Sequence, residues 1–240
     1  ELGTATVFNE DGADVDFRIE GDTNANLFYV DAGNDRIGIA TSSPSAPMHI
    51  VGSGNTTILK VESTDDDANV APIIELFRNS ASPADNDQLG RIDFRADDAS
   101  GGDSTFARIA VTAIDVTNNT EDARIDFTAV TNDTFTPTMS ITGQKVGIGT
   151  TSPASPLHLH ESSSGSIEGL KVTNSTTGTA VGDGLSIGLD SSENVFLFNY
   201  ESTAMKFGTS GSERMRLDSS GRLLIGVTST DDYDGFNSSL

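Results

Sequence analysis

Apolar and polar side chains alternate with a period of two along most of this chain. Asp14-Val15-Asp16-Phe17-Arg18-Ile19-Glu20 alternates strictly, as does Gly90-Arg91-Ile92-Asp93-Phe94-Arg95, and Leu59-Lys60-Val61-Glu62 follows suit with Ile58 blurring its start. A period of two places one set of side chains on each face of a strand. Capped windows with apolar residues at i, i+3, i+4 and i+7 are almost absent, so helices are not expected. Turn formers separate the strands at Asp31-Ala32-Gly33-Asn34-Asp35, Ser100-Gly101-Gly102-Asp103 and Ser219-Ser220-Gly221, where Gly and Asn tolerate the positive φ of tight turns. The expected fold class is all-β.

Two repetitions are superimposed on this pattern. The longer one sets Arg36-Ile37-Gly38-Ile39 against Lys145-Val146-Gly147-Ile148, 109 positions on, and pairs Ile225-Gly226-Val227 with them as a third, degenerate copy. Ser43-Pro44 and Pro47 follow the first copy and Ser152-Pro153 and Pro156 the second, each ending in an apolar-His-apolar strand start, Met48-His49-Ile50 and Leu157-His158-Leu159. Proline cannot donate to a ladder, so these prolines mark where one sheet segment ends and another begins. A glycine inside a strand costs about 0.5–1 kcal/mol, so Gly38, Gly147 and Gly226 point to close backbone approach, here read as crowding around a symmetry axis. The shorter repetition, Gly90-Arg91-Ile92, Ala107-Arg108-Ile109 and Ala123-Arg124-Ile125, is spaced by 17 and then 16 residues. It gives each strand a two-residue apolar stripe with Arg91 and Asp93, or Arg124 and Asp126, on the other face. Hairpins stacked along an axis, with stripes meeting those of neighbouring chains, are expected.

Composition sharpens this picture. Of 240 residues only 35% are hydrophobic and 6% aromatic, with 24 glycines and no tryptophan, which is little material for a wide core. A thin object that covers its apolar strip with partner chains is expected instead. The 36 acidic against 14 basic residues give a formal charge of −22, which excludes nucleic acid and anionic lipid as partners. That charge reads equally as a solvated surface or as adaptation to salty surroundings, where screening weakens self-repulsion. Without cysteine there is no disulfide framework, thiolate nucleophile or cysteine zinc site. No apolar run reaches the ~20 residues of a membrane-spanning helix, so membrane insertion is not expected. The chain opens at Glu1 with no initiator Met and reads as a fragment or processed product.

Val146-Gly147-Ile148-Gly149-Thr150-Thr151-Ser152-Pro153, followed by Pro156-Leu157-His158-Leu159, resembles the repeated shaft unit of bacteriophage tail fibres and related virion appendages. The stretches Leu27 to Asp31, Met139 to Gly143 and Met215 to Gly221 resemble the strand and turn that precede that unit. The resemblance implies an elongated, repeat-containing, intertwined homotrimeric β-fibre, with β-prism or β-helix-like shaft segments and short hairpins. It further implies a virion, extracellular location and a role in reach and host-cell attachment. Implied partners are two further copies of the chain, other virion structural proteins, and a host surface glycan or protein receptor. Many such fibres end in a chaperone domain that is cut away after trimerisation; nothing here matches it, which places any such domain beyond Leu240. Three segments are expected: 1–57 with the first motif, 58–144 rich in hairpins, and 145–240 with the second and degenerate third motifs. The alternatives are a cellular surface adhesin or extracellular fibril subunit, and a polysaccharide depolymerase spike.

No catalytic, cofactor or metal site is assigned from the sequence. His49 and His158 occupy equivalent repeat positions, which fits a packed histidine bonded to a backbone carbonyl better than a member of a Ser-His-Asp set. Paired carboxylates for glycan cleavage have too many candidates: Asp65-Asp66-Asp67, Asp97-Asp98 and Asp231-Asp232. The large aromatics Tyr29, Tyr200 and Tyr233 offer few stacking platforms. His158 and His160 share a strand face, and three chains would gather six imidazoles about an axis, but Val51 replaces the second His in the first copy. Asp31, Asn34 and Asp35, or Asp65 to Asp67, are oxygen-rich turns with ligand types suited to calcium but without a known calcium-loop spacing. No phosphate-binding Gly-rich loop occurs.

Overall fold

A computed structural model describes residue 9, residues 11–68 and residues 71–229. The chain divides into two compact units, Glu1–Glu75 and Leu76–Leu240. All elements among the described residues are strands.

The first unit holds β1 (Phe17–Ile19), β2 (Phe28–Asp31), β3 (Arg36–Ile39) and β4 (Met48–Ile50), in sheet order β1-β2-β3-β4. β1 to β3 are antiparallel neighbours, and β4 adds parallel to β3. In the second unit, β5 (Gln88–Asp97), β6 (Asp103–Asp115), β7 (Asp122–Ala129), β8 (Met139–Thr142), β9 (Lys145–Ile148) and β10 (Leu157–Leu159) form one six-stranded sheet in chain order. Two three-stranded antiparallel sheets follow: β11 (Ile167–Val172), β12 (Leu185–Leu189) and β13 (Val195–Asn199), then β14 (Met205–Thr209), β15 (Ser212–Leu217) and β16 (Leu223–Ile225). The alternation at Leu59 to Glu62 does not become a strand, because no neighbouring backbone ladders with it. The alternation at Asp14 to Glu20 yields only the three residues of β1.

The long repeat is a four-strand module rather than a fifteen-residue string. Phe17 faces Val30, Val30 faces Ile37 and Ile37 faces Met48; in the same way Ile125 faces Ile141, Ile141 faces Val146 and Val146 faces Leu157. β7 to β10 therefore match β1 to β4 residue for residue in register. Between β3 and β4, and between β9 and β10, the chain crosses back in the eight residues 40–47 and 149–156. Parallel neighbours ordinarily need a dozen or more connecting residues. Eight suffice here because strands of three or four residues require a return of only about 10 Å. The carbonyls of Pro47 and Pro156 accept the amides of Ile37 and Val146 at 2.9 Å, so the crossover ends by joining the ladder it left.

Strand-centre glycines make this crossover possible. A Cβ on Gly38 would overlap the Thr41 carbonyl oxygen, and one on Gly147 would overlap that of Thr150. The close approach inferred from the sequence is made by the chain's own loop folding back. The third copy corrects the sequence alignment: Leu217 faces Leu223 and Met215 faces Ile225, as Val30 faces Ile37 and Phe28 faces Ile39. Leu224 therefore stands where Gly38 and Gly147 stand. Gly226 matches Ala40 and Gly149, and these three share left-handed φ values of 75°, 60° and 74°. Each also donates its amide to the carbonyl of the residue just before its last facing pair: Ala40 to Leu27, Gly149 to Thr138 and Gly226 to Arg214. The third copy therefore carries a leucine side chain where the first two leave room for a returning carbonyl.

The short Arg-Ile repeat marks three adjacent strands of one sheet, not hairpins stacked along an axis. Ile92 on β5 faces Ile109, Ile109 faces Phe127, Phe127 faces Met139, Met139 faces Ile148 and Ile148 faces Leu159. A second row runs from Val111 through Ile125, Ile141 and Val146 to Leu157. The narrow stripes expected from the sequence merge into one apolar face six strands wide. Among the described residues it stays largely uncovered at its margins: Ile92, Phe94 and Leu157 are 52%, 53% and 60% exposed. Among the described residues the only buried hydrophobic side chains are Ala110, Ala113 and Leu224.

Adding a methyl group at Gly147 tests the crossover. Gly147→Ala should destabilise by about 1–3 kcal/mol through overpacking, read as a lower denaturation midpoint. Gly182→Ala, with nothing within 4 Å of the new Cβ, should leave the midpoint unchanged.

Candidate functional site

The polar face of the six-stranded sheet carries the chain's densest side-chain chemistry. Arg91, Ala110, Asp126, Ser140, Gly147 and His158 form one cross-strand row on it. Asp126 is 6% exposed, and its carboxylate accepts the Ser140 hydroxyl at 2.6 Å and Arg124 Nε at 2.9 Å. Arg108 Nε donates to Asp93 at 2.7 Å, with Arg91 Nε at 2.9 Å on the other oxygen. These guanidinium groups, Arg108 foremost, hold the Asp93 carboxyl below the usual carboxylate range. Arg108 also lies 4.8 Å over the Phe135 ring. The pairing of Arg91 with Asp93 and of Arg124 with Asp126 on one face is as the alternation required. A buried carboxylate held by a cation and a hydroxyl is a satisfied structural group.

His49 and His158 do occupy equivalent places, but their bond differs from the expectation. Nδ1 of His49 accepts the Ser45 amide, and Nδ1 of His158 accepts the Ala154 amide, both at 3.3 Å. The ring is thus an acceptor from a backbone N–H four residues upstream, not a donor to a carbonyl, because the eight-residue crossover turns that amide toward it. This geometry requires Nδ1 to be unprotonated. The Ser45 hydroxyl lies 3.5 Å from His49 Nδ1, but the second copy has Ala154 there, so the pairing is not part of the module. His158 and His160 stand with ring centroids 6.0 Å apart. Among the described residues no three His, Asp or Glu side chains are placed to hold a metal ion.

The acidic turns are internally satisfied. Asp31 accepts the Asn34 amide at 3.1 Å and its side-chain nitrogen at 3.0 Å, closing the β2–β3 turn, while Asp35 is the left-handed residue of that turn. Asp65 accepts the Asp67 amide at 3.4 Å. Asp98 takes the Ser100 hydroxyl at 2.6 Å and the amides of Ser100 and Gly102 at 2.7 and 3.0 Å. These bonds, the Ser100 hydroxyl first, pull its pKa down to about 2. A carboxylate so bound closes the β5–β6 turn and is no general acid. Asp231, Asp232 and Tyr233 lie outside the described residues.

Sequence reading missed a cluster on the β11–β13 sheet. Phe196, Phe198 and Tyr200 follow at every second residue, with ring centroids 5.2 and 6.0 Å apart. On the same side, Lys171 Nζ sits 5.0 Å from the Tyr200 ring centroid and 3.4 Å from Glu168, and Ser186, fully buried, donates to Glu168 at 3.2 Å. The signal was present as an aromatic at 196, 198 and 200. Two of those rings are Phe, so a search for Tyr and Trp platforms passes over them. No protein-family model matches the chain, and no curated protein sequence matches it.

A depressed carboxyl stabilises the fold above its unfolded pKa, and the contribution is lost as pH falls through the folded value. A carboxyl carbon titrating at about 2 should therefore appear in an NMR titration and vanish in Asp98→Asn. The β5–β6 turn should keep its amide protection at pH 4 and lose it as pH falls through that value.

Proposed function

We propose that this chain is one subunit of an elongated, homotrimeric β-fibre of a phage tail or virion appendage, which gives reach and host-cell attachment and performs no catalysis. The observation that carries the reading is the bare apolar face of the six-stranded sheet. Ordering a residue costs about 1–2 kcal/mol, whereas fully burying a Val, Leu, Ile or Phe side chain returns about 1.5–3 kcal/mol. A chain that buries two alanines and one leucine among its described apolar residues therefore needs cover from outside itself. Each of the other sheets presents the same kind of face: Ile19, Phe28, Ile39 and Ile50 in the first unit, Leu170, Ile187 and Leu197 on β11 to β13, and Phe207, Met215 and Ile225 on β14 to β16.

Copies of the chain are the simplest cover, because each supplies matching faces at the same positions along its length. The bare faces require only that copies meet; the number three, the virion location and the host receptor come from the resemblance of the Val146 to Leu159 stretch to tail-fibre shafts. In such an assembly the Asp126 and His158 row faces solvent, so His158 and His160 are not gathered at the axis. Electron micrographs of the purified chain should show rods. Phe127→Asp, a charge at the centre of the bare face, should abolish them, while Thr112→Asp on the opposite face should not. Compact particles holding one chain each would contradict the proposal.

A further inference from the structure

One apolar run of the chain lies on no sheet. Pro72-Ile73-Ile74-Glu75-Leu76-Phe77-Arg78 continues from residue 73 to residue 80 without a turn or bend. Residues 71–79 make no backbone–backbone hydrogen bond with a described residue, and Ile73, Ile74, Leu76 and Phe77 are 58–76% exposed. Isoleucine and phenylalanine favour strands. In a strand, Ile73 and Phe77 would share one face and Ile74 and Leu76 the other. A strand that is apolar on both faces belongs inside an assembly, with cover above and below it.

Side chains, not backbone, tie this run to the sheet. A Cβ on Gly90 would lie 3.4 Å from the Leu76 Cβ, and Gly90 on β5 faces Val111 in the second apolar row of the six-stranded sheet. Arg78 fixes the far end: its guanidinium pairs with Asp87 at 2.9 Å and donates to the Gln88 carbonyl at 3.3 Å. Since β5 is the last strand of its sheet, these anchors set Leu76 at the rim of the face on which copies would close. The N–H and C=O groups of the run stay open to a partner backbone.

We propose that residues 73–78 become a β-strand only on assembly, laddered to a second copy of this chain. Six residues with strand-forming side chains, low net charge and neither Pro nor Gly are the kind of segment that pairs with further copies of itself or with an open sheet edge. Glu75 and Arg78 cancel, so copies meet here without the self-repulsion that a formal charge of −22 imposes elsewhere. In strand addition the backbone bonds supply affinity and alternate side chains fill the layers on either side. The inference rests on the fibre reading and deepens it. There, finished sheet faces meet; here, a run without structure of its own folds as the copies join.

Hydrogen exchange of the full chain, with sedimentation of the same preparation, is the test. In the multi-chain species the amides of residues 73–78 should exchange about a hundredfold slower than unstructured ones. In Phe127→Asp they should exchange freely, while protected β6 and β7 amides show that its sheet is folded. Ile74→Pro and Glu75→Pro each remove an N–H that bonds no backbone group within the chain, and together they cover both directions in which strand amides point. At least one should speed exchange of the remaining amides of the run about tenfold, a comparison that decides the matter even if Phe127→Asp does not fold. A multi-chain mass with residues 73–78 exchanging freely overturns this inference and leaves the fibre standing. Protection that persists in a folded one-chain Phe127→Asp, or that neither proline disturbs, overturns it as well. A one-chain mass for the unaltered chain overturns the fibre and the assembled strand together.

Discussion

Everything in this molecule depends on where an apolar sheet face finds its cover. A six-stranded sheet with Ile109, Phe127, Met139 and Ile148 in one row has an apolar face, and no second sheet is laddered to it among the described residues. The polar face is the one that looks finished. Asp126, Ser140 and Thr128 are buried there under Arg91, Arg108 and Arg124, so the usual placement of polar groups outside and apolar groups inside is reversed within a single chain. Domains ordinarily pack two layers around one core. Here the described strands of each sheet form one layer, and the proposed fibre supplies the second from another copy.

The module shows how such a layer is lengthened without a helix. An antiparallel hairpin turns into a parallel neighbour through eight residues, held by a left-handed residue at its start, a glycine under the returning carbonyl, and a proline carbonyl that rejoins the ladder. The histidine that ends it accepts the Ser45 or Ala154 amide and fixes the loop. Add a Cβ at that glycine and it overlaps the Thr41 or Thr150 carbonyl oxygen. Both copies keep the glycine in the middle of the string, Gly38 and Gly147, while the preceding turn differs, six residues from Asp31 to Arg36 against four from Thr142 to Lys145.

The sequence made much of this legible. Period-two alternation identified the all-β class and put Arg91 with Asp93 and Arg124 with Asp126 on one face. What it could not reveal was lateral: spacings of 17 and 16 residues fit stacked hairpins as well as the neighbouring strands β5, β6 and β7, because alternation specifies a face and not a neighbour. The partner of Gly38 was invisible for the same reason, since a glycine records that something comes close without recording what. Third-copy alignment failed because Gly226 carries a left-handed φ while Gly38 accommodates a carbonyl, two different uses of one residue type.

Sedimentation equilibrium of the purified chain tests the central claim most directly. Copies that cover one another's apolar faces give a mass three times the 25.1 kDa of a single chain, unchanged on dilution to nanomolar concentration. A mass of one chain, with the six-stranded sheet still folded by circular dichroism, would show that the face needs no cover and would contradict the account.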